Sequence, residues 1–273
     1  GLQQPSKNES LYCLINSGNA NAGTGDAGMQ VAQESCQILA ENLGVEPGNV
    51  FPFSTGVIGE LLPIEKIKLS AEKLVGELAE ENWSSAAQAI MTTDTVAKGC
   101  SRTLVINGTE IVVSGIAKGA GMIKPNMATM LAFIATDASV NSEHLQQLLE
   151  KSVSASFNRI TVDGDTSTND ACTLAASGLS GVLMSPDHGS WAEFELAVIE
   201  VMQELATAII RDAEGASKFI TLDVINGKNV EECLQVAYTV AESPLVKTAF
   251  FASDANWGRI LAAVGRSGLD NLD

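Results

Sequence analysis

The stretch "TLVINGTEIVVSGIAKGAGMIKPNMATMLAFIATDA", residues 103–138, decides the predicted fold. Two β-branched runs flank Asn107-Gly108, a dipeptide favoured in type I′ turns, so we expect an antiparallel hairpin there. A loop, "KGAGMIKPN", follows the hairpin, and "MLAFIATDA" has the composition of a buried strand. The Ala128-Thr129 bond therefore lies where a glycine-containing loop enters a strand.

That bond has the chemistry of a self-cleavage site. The Thr129 hydroxyl can attack the Ala128 carbonyl, giving an ester that water opens, and the small side chain at Ala128 leaves room for the tetrahedral centre. As a new N-terminus, Thr129 has its own α-amine as base, with a pKa of about 7.7–8.0. Because Gly119 and Gly121 lack a Cβ, neighbouring backbone can pass close to them. An ordinary tight loop entering a strand has the same spacing, so the residues alone leave both interpretations open.

Alternating strand and helix patterns extend in both directions from this stretch. Upstream, "LYCLINSG" and "FPFSTGVIGELLP" have the pattern of strands. A helix is predicted from Met29 to Leu43, ended by Gly44, and a second from Ile64 to about Glu81, opened by Pro63. The apolar residues expected on one face of the second helix are Ile64, Ile67, Leu74 and Leu78.

Downstream, helices are predicted over 141–157, over "SWAEFELAVIEVMQELATAIIRDAEG" and over "NVEECLQVAYTVAES", with a strand at "KFITLDVING". Ser190 and Glu193 have capping-box spacing at the start of the long helix, and Gly215 ends it. Because strands and helices alternate without repeats or linkers, we predict one α/β unit over 1–273, with layered sheets and helices.

Composition excludes several classes of protein. Apolar residues make up 45% and charged residues 18%, and the net charge of −17 disfavours binding to nucleic acid or to an anionic membrane. The sequence has no 18-residue apolar run, so it predicts no membrane span, and the first residues lack a signal-peptide pattern. We expect a cytoplasmic protein, with an organellar origin left open because the sequence does not begin with Met.

Cysteine and histidine usage disfavours metal and disulfide chemistry. The five cysteines are far apart, with no C-x-x-C pair, so we expect reduced thiols and neither a disulfide framework nor a structural zinc site. His144 and His188 lie in polar stretches, which disfavours serine–histidine catalysis and a histidine-rich metal site. No metal and no bound cofactor are expected.

Seven motifs are spread along nearly the whole chain: "NSGNANAGTG", "STGVIGE", "MTTDT", "GIAKGAGMIKPNMATMLAFIATDA", "VDGDTSTNDACTLAASG", "DAEGASK" and "LVKTAFFASDANWGRI". In this order they resemble the ornithine acetyltransferase family, also called glutamate N-acetyltransferases. The resemblance implies an α/β layered fold whose arrangement is like that of N-terminal nucleophile hydrolases, as in self-processing aminopeptidases, although of separate topology.

The resemblance implies a nucleophile and an oxyanion site. Thr129 is similar to the family's autoproteolytic nucleophile, which also contacts substrate, and Ala128 ends an α chain of residues 1–128, leaving a β chain of 129–273. Thr55 and Gly56 are similar to the pair that stabilises the oxyanion, where one hydrogen-bond donor is worth ~3 kcal/mol. Taken alone, "STG" is equally an ordinary turn.

Three further residues match substrate-contacting positions of the family: Thr95 in "MTTDT", Lys118 in "AKGAG" and Glu214 in "DAEGASK". Lys118 could pair with a substrate carboxylate or be a solvated charge. Glu214 is predicted at a helix C-terminus, where the helix dipole disfavours an anion by roughly 0.3–1 kcal/mol. It could hold the cationic amine of ornithine or form an ion pair with Arg211 or Lys218.

The acidic loop "DGDTSTND" holds Asp163, Asp165 and Asp170. Its glycine and glutamate positions do not fit an EF-hand calcium loop. We expect a hydrogen-bonded loop near the site and assign it no role.

The function implied by the resemblance is transfer of acetyl from N-acetylornithine to glutamate through an ester on Thr129. The family's assembly of two α and two β chains implies a heterotetramer, and some members also accept acetyl-CoA as donor. Family members extend beyond both ends of this sequence, so we expect it to be a fragment that lacks pocket residues of the C-terminal segment.

Two alternatives stay open. The first is a related self-processing aminopeptidase, a hydrolase that usually has serine at the cleaved position. The threonine within "KPNMATML" favours the transferase. The second is an unprocessed fragment without turnover, which an uncleaved chain would indicate.

Overall fold

The computed structural model describes residues 10–124, 130–270 and 272. Within these residues the strands are β1 (Tyr12–Asn19), β2 (Val50–Val57), β3 (Lys98–Ile106), β4 (Thr109–Lys118), β5 (Leu131–Thr136), β6 (Ser139–Val140), β7 (Ala171–Ala176) and β8 (Leu183–Met184). The helices are α1 (Gly25–Leu43), α2 (Ile64–Gly76), α3 (Trp83–Ala89), α4 (Ser142–Ala155), α5 (Trp191–Arg211), α6 (Val230–Ala241), α7 (Pro244–Phe251) and α8 (Trp257–Gly265).

The central sheet has the strand order β3-β4-β5-β7. The predicted hairpin is confirmed as β3 and β4, and its turn residues Asn107 and Gly108 have φ values of +53° and +82°, as a type I′ turn requires. Strand β5 pairs antiparallel with β4 and parallel with β7. In this register Lys118, Leu131 and Ala171 form one row across three strands.

Both faces of the central sheet are covered, which confirms the predicted layered α/β architecture. In β5, Ala132 and Ile134 belong to the main core, which includes residues of α4 and α5. Leu131 and Phe133 point to the opposite face and pack with residues of α3 and partly buried residues of β1 and β2. The Phe133 ring meets Phe53 of β2 edge-on, with ring centroids 5.1 Å apart.

Strands β1 and β2 form a separate parallel pair connected by α1. The predicted end of α1 is confirmed, because Gly44 follows it with a left-handed φ of +70°. The helix begins at Gly25 instead of at Met29. The pair brings the carboxyl end of β2, with Thr55 and Gly56, toward the central sheet.

The prediction for α2 was partly wrong. The helix ends at Gly76 instead of about Glu81, consistent with the low helix propensity of glycine. Leu74 and Leu78 are 46% and 64% exposed, so the predicted apolar face does not include them. The residues of this helix that pack inward include Ile67, Ala71 and Val75.

Three predictions in the second half of the chain were wrong. Ser190 precedes α5, but its side chain makes no capping hydrogen bond, because its backbone (ψ 12°) is not extended as a capping residue's normally is. Residues 218–227 form irregular structure instead of a strand, and no described strand pairs with them. The long helix ends at Arg211, before Gly215, whereas α4 and the helix at 230–241 are confirmed.

Candidate active site

The site is built around Lys118, the last residue of β4. Its side chain is buried, and Nζ donates hydrogen bonds to Thr55 Oγ1 at 3.0 Å and to Thr92 Oγ1 at 3.1 Å. These two threonines come from the end of β2 and from the loop after α3. Two predicted site residues, Thr55 and Lys118, are therefore in direct contact, although 63 positions separate them in the chain.

The conformation of the Thr55-Gly56 pair depends on glycine. Gly56 has a φ of +132°, and a Cβ there would lie 2.3 Å from the Gly18 carbonyl carbon of the neighbouring strand. Because Lys118 donates to Thr55 Oγ1, the Thr55 hydroxyl hydrogen is free to point toward another acceptor. The "STG" sequence is thus the end of a strand rather than an ordinary turn, and it presents a hydroxyl donor beside a cation.

Lys118 is not a solvated charge. Burial lowers its pKa below the ordinary value, and the charge of Lys98 acts in the same direction. The negative charges of Asp94, Asp170 and Glu214 oppose that shift. A buried ammonium surrounded by hydroxyls and carboxylates is the arrangement expected where a charged substrate group is bound.

A buried ion network supports the loop that begins at Gly119, directly after Lys118, and is called the Lys118 loop below. Lys98 Nζ contacts Asp94 and Asp212 at 2.6 Å each, and the three side chains are at most 5% exposed. Asp94 also accepts hydrogen bonds from the backbone N–H of Gly119 at 2.7 Å and of Thr92 at 3.1 Å. The network therefore fixes residues on both sides of the Lys118 side chain.

Thr95, predicted as a substrate contact, belongs to this network. Its hydroxyl and its backbone N–H both donate to the Asp212 carboxylate, the N–H at 3.0 Å to Oδ2. The threonine hydroxyl that reaches Lys118 in the same "MTTDT" motif is that of Thr92. Sequence reasoning missed Thr92, and the signal available was its proximity to Thr95. The role of Thr95 stays a prediction.

Glu214 follows α5 and lies against the Lys118 loop. Its backbone N–H donates to the Ala120 carbonyl at 2.8 Å, and a Cβ on Gly121 would lie 2.6 Å from Glu214 Oε1. Among the described residues, Glu214 forms no ion pair with Arg211 or Lys218. The Arg211 guanidinium lies 4.6 Å from the Phe219 ring centroid, and the Lys218 ammonium contacts carbonyls of α7.

A cavity of about 430 Å³ opens beside Glu214. Side chains of α7 and of the irregular segment after Gly215 line it, including Ile220 and Phe250. The Lys247 ammonium, which also lines it, is tied to the Val162 carbonyl. The cavity is of the size of ligand pockets and is mainly apolar, with the Glu214 carboxyl as a polar group at its edge.

The acidic loop lies near the site, as predicted. Asp163 accepts hydrogen bonds from the backbone N–H groups of Met122 at 2.6 Å and Ile123 at 2.9 Å. Asn169 Nδ2 donates to the Ala20 carbonyl at 2.5 Å, which ties the loop to the glycine-rich segment after β1. The loop thus holds the chain just after Gly121 and just after β1.

Comparison with known proteins identifies the family. A family model described as the ArgJ family matches residues 3–273. The chain belongs to the ArgJ family.

Two relatives named arginine biosynthesis bifunctional protein ArgJ support this assignment. The one from Pseudomonas fluorescens (strain Pf0-1) is 54% identical over 269 residues, covering 98% of this chain and 66% of the relative. The one from Methylococcus capsulatus (strain ATCC 33009 / NCIMB 11132 / Bath) is 56% identical over 263 residues, covering 96% of this chain and 64% of the relative. The chain thus spans 64–66% of the length of these relatives.

A crystal structure of arginine biosynthesis bifunctional protein ArgJ from Bacillus halodurans resembles the fold. It is 46% identical to this chain with a TM-score of 0.51, and the match covers 53% of this chain and 68% of that one. The ArgJ-family fold is therefore the α/β layered fold that the motifs implied.

The predicted nucleophile Thr129 and the cleavage partner Ala128 lie outside the described residues. The ArgJ-family chain is described up to Lys124 and again from Met130, which directly precedes β5. The other predicted site residues, Thr55, Gly56, Thr95, Lys118 and Glu214, are all described.

The described residues contain neither a cluster of metal ligands nor a helix that could span a membrane. Among residues 10–124, 130–270 and 272, no group of three or more His, Cys, Asp or Glu side chains has an arrangement that could hold a metal ion. No helix in the same part of the chain has the length and apolar character needed to cross a bilayer.

Proposed function

We propose that this chain carries the acetyl-transfer site of a glutamate N-acetyltransferase of arginine biosynthesis. Acetyl moves from N-acetylornithine to glutamate through an ester on Thr129, after self-cleavage of the Ala128-Thr129 bond. The relatives are named for arginine biosynthesis, and the motifs that led to the ornithine acetyltransferase family are those of this site.

The observation that carries the proposal is the contact of Lys118 with Thr55 at 3.0 Å, in the row of the sheet where β5 begins. Thr129 precedes that strand by two positions in the sequence. Glu214 joins the same loop through Ala120 and Gly121. A hydroxyl donor, a buried ammonium and a carboxylate from three distant segments thus lie close to the row of the sheet where β5 begins.

Self-cleavage needs no partner other than water. The Thr129 hydroxyl oxygen attacks the Ala128 carbonyl carbon, the C–N bond breaks, and the hydroxyl proton ends on the released amine. Water then opens the ester, leaving an Ala128 carboxylate and a free Thr129 hydroxyl. The released α-amine has a pKa of about 7.7–8.0 in model compounds, so it can act as base near neutral pH.

Acetyl transfer repeats this chemistry on the substrate. The Thr129 hydroxyl attacks the acetyl carbon of N-acetylornithine, the amide bond breaks, and the α-amine passes its proton to the departing ornithine amine. The amine of glutamate then attacks the ester, giving N-acetylglutamate and restoring the hydroxyl. The Thr55 hydroxyl and the Gly56 N–H stabilise the negative oxygen of each tetrahedral intermediate.

Charge decides which substrate groups the site accepts. Lys118 complements a substrate carboxylate, and Glu214 complements the side-chain ammonium of ornithine, which the cavity beside it has room to hold. Thr92 accepts a hydrogen bond from Lys118, and Thr95, proposed as a further substrate contact, is joined to Lys98 through Asp212. No metal or bound cofactor is needed, because ester formation and oxyanion donors account for every step, and acetyl-CoA is a further candidate donor.

The processed protein is proposed to assemble as a heterotetramer of two chains of residues 1–128 and two of 129–273. A cytoplasmic location stays a prediction.

Replacing Thr129 tests the nucleophile. Intact mass under denaturing conditions should give two species, 1–128 and 129–273, for the parent protein and for Thr129→Ser, which keeps a hydroxyl. Thr129→Ala should give one uncleaved species and no transfer of labelled acetyl from N-acetylornithine to glutamate. Normal cleavage of Thr129→Ala would contradict the assignment, and amine release from small peptides without acetyl transfer would indicate an aminopeptidase.

Replacing Thr55 tests the oxyanion site. Thr55→Val keeps the shape but removes the hydroxyl, so cleavage and transfer should both slow by about 10²–10³-fold, the loss typical of one oxyanion donor. Thr55→Ser keeps the donor and should lose much less. Equal rates for Thr55→Val and the parent protein would show that this hydroxyl does not stabilise the oxyanion.

A further inference from the structure

Asp170 has no role in the reaction proposed above, yet it lies beside the start of β5. It directly precedes β7, and the backbone N–H of the next residue, Ala171, donates to the Met130 carbonyl at 2.9 Å. Ala171 pairs with Leu131, which pairs on its other side with Lys118. Asp170 and Lys118 thus approach the beginning of β5 from opposite neighbouring strands.

Within the part of the chain that the structure describes, the Asp170 carboxyl is incompletely hydrogen-bonded. Its Oδ2 atom is buried and has no hydrogen-bond partner among the described residues. A hydrogen bond from the backbone N–H of Met130 favours the ionised form of the group. Most buried polar atoms in proteins are satisfied, so a buried carboxylate oxygen without a partner calls for an explanation.

Burial raises the pKa of Asp170 to about 7, against the opposing effects of the Lys118 charge and the Met130 N–H. The positive charge of Lys118, on strand β4, favours the ionised form of the Asp170 carboxyl. Lys118 is itself influenced by Asp94, Lys98 and Glu214. The carboxyl therefore changes its charge within the pH range in which the Thr129 α-amine is expected to act as base.

We propose that Asp170 is a positioning residue, which in its ionised form holds the Met130 N–H and stabilises the protonated form of Lys118. This proposal rests on the proposed function, because Met130 is the residue that follows the nucleophile Thr129. A fixed Met130 peptide group sets where β5 begins, and a protonated Lys118 keeps its hydrogen bond to Thr55. When Asp170 is protonated, the hydrogen bond from the Met130 N–H and the charge interaction with Lys118 both weaken.

A purely structural role would also keep Asp170 buried, but it predicts different measurements. Asparagine has nearly the same shape and can still accept from the Met130 N–H, so Asp170→Asn should fold. A packing role would leave the pH dependence of Asp170→Asn like that of the parent. If the charge of Asp170 matters, Asp170→Asn should lose one titration from that pH dependence.

The first test reads Met130 directly and does not require activity. The test uses the uncleaved Thr129→Ala protein labelled with ¹⁵N-methionine, because a free Thr129 α-amine would itself titrate beside the Met130 amide. The Met130 amide signal is followed from acid to alkaline pH, and the added substitution Met130→Leu identifies it. The signal should titrate with a midpoint near the Asp170 pKa of about 7. In this background the titration should persist when Asp187→Asn, the same substitution in an exposed turn, is added, and disappear when Asp170→Asn is added. No titration with Asp170 present, or its survival in Asp170→Asn, would overturn the proposal.

The second test separates this proposal from the proposed function. In the parent protein and in Asp187→Asn, the rise of kcat with pH should contain two titrations, one near 7 as Asp170 ionises and one from the Thr129 α-amine at about 7.7–8.0. In Asp170→Asn the titration near 7 should be lost while that of the α-amine remains, and kcat should fall about tenfold at alkaline pH. Asp170→Glu should restore part of the rise with a shifted midpoint.

The two proposals fail in different ways. Unchanged kcat and pH profile in Asp170→Asn, with Thr129→Ala inactive, would overturn the role of Asp170 and leave the nucleophile in place. A parent protein that neither cleaves nor transfers acetyl would remove the proposed function. The Met130 titration would still decide whether Asp170 holds that peptide group.

Discussion

At the scale of single residues, the stability of a buried lysine depends on its neighbours. Moving an ammonium out of water is costly, and the cost in proteins is met by hydrogen bonds and opposite charge. Lys118 has two threonine hydroxyls as hydrogen-bond acceptors and three carboxylates that act on its charge. Its charged form therefore depends on residues from several segments.

Asp94 acts on the charge of Lys118 and also forms a buried ion pair with Lys98. Asp94→Asn should lower the free energy of unfolding at neutral pH by about 3 kcal/mol, the lower end for a broken buried ion pair, because Lys98 keeps Asp212 as a partner. Urea unfolding measures the change. The control Glu65→Gln breaks an exposed pair with Lys68 and should cost less than about 1 kcal/mol.

The effect of Asp94 should also depend on pH. Burial by itself would raise the pKa of Asp94, but hydrogen bonds from Gly119, Lys98 and Thr92 outweigh it, so the pKa lies below the ordinary value. The stabilisation is thus complete above the unfolded-state pKa of about 3.9 and is lost as pH falls through the lower folded-state pKa. The parent and Asp94→Asn should converge in stability in strong acid, and equal stability at neutral pH would contradict the network's role.

At the scale of elements, the β1–β2 pair requires glycine at position 56. Gly56→Ala would place a methyl group 2.3 Å from the Gly18 carbonyl carbon at a φ of +132°, so the two strand ends must separate. We expect a loss of about 1–3 kcal/mol in unfolding free energy and slower self-cleavage, because Thr55 shifts with the strand. Thermal unfolding and intact-mass kinetics measure the two effects.

The matched control is Gly76→Ala at the end of α2, where an added Cβ has open space around it. Alanine has the higher helix propensity, so this variant should be as stable as the parent or more stable, with normal cleavage. If both glycine variants behaved alike, the close approach of Gly56 to Gly18 would not be the reason why the β1–β2 pair requires glycine at position 56.

Local signals predicted the elements that local physics determines. The Asn107-Gly108 turn and the helix end at Gly44 depend on backbone conformations that glycine and asparagine favour, and both are confirmed. The strand predicted at 218–227 failed because an apolar β-branched run forms a strand only when a partner strand lies beside it. Among the described residues none does, and Ile225 is 71% exposed.

The candidate site was predictable from motifs in part. Thr55 and Lys118 were singled out from separate motifs, and the structure brings them into contact. Thr92 and Asp94 were missed and Asp170 was assigned no role, because spacing in the sequence does not reveal which strand ends meet across a sheet. The position of Asp170 beside Met130 follows from the β5–β7 register alone, which only the fold supplies.

At the scale of the whole molecule, the proposed cleavage separates two neighbouring strands of one sheet. Strand β4 ends at Lys118 and β5 begins at Leu131, and these strands pair from Val113 with Thr136 to Lys118 with Leu131. The main core likewise combines Ile111 of β4 with residues of β5 and α5. Neither chain produced by cleavage can complete the central sheet by itself.

The two chains should therefore stay associated after cleavage. Burial of one large apolar side chain contributes about 1.5–3 kcal/mol, and several such side chains from each chain share the core. The cleaved parent and uncleaved Thr129→Ala should co-elute in size-exclusion chromatography under native conditions. In guanidinium chloride only the parent should separate into chains of residues 1–128 and 129–273.

Separate expression provides the stricter comparison. Residues 1–128 produced alone would expose the edge of β4, including backbone groups that β5 otherwise satisfies, so we expect this chain to aggregate or to remain unfolded. Co-expression with 129–273 should restore a soluble complex whose circular dichroism matches that of the cleaved parent. A chain of residues 1–128 that folded alone and was monomeric would show that the central sheet does not depend on β5, which would contradict the shared core on which the association is argued.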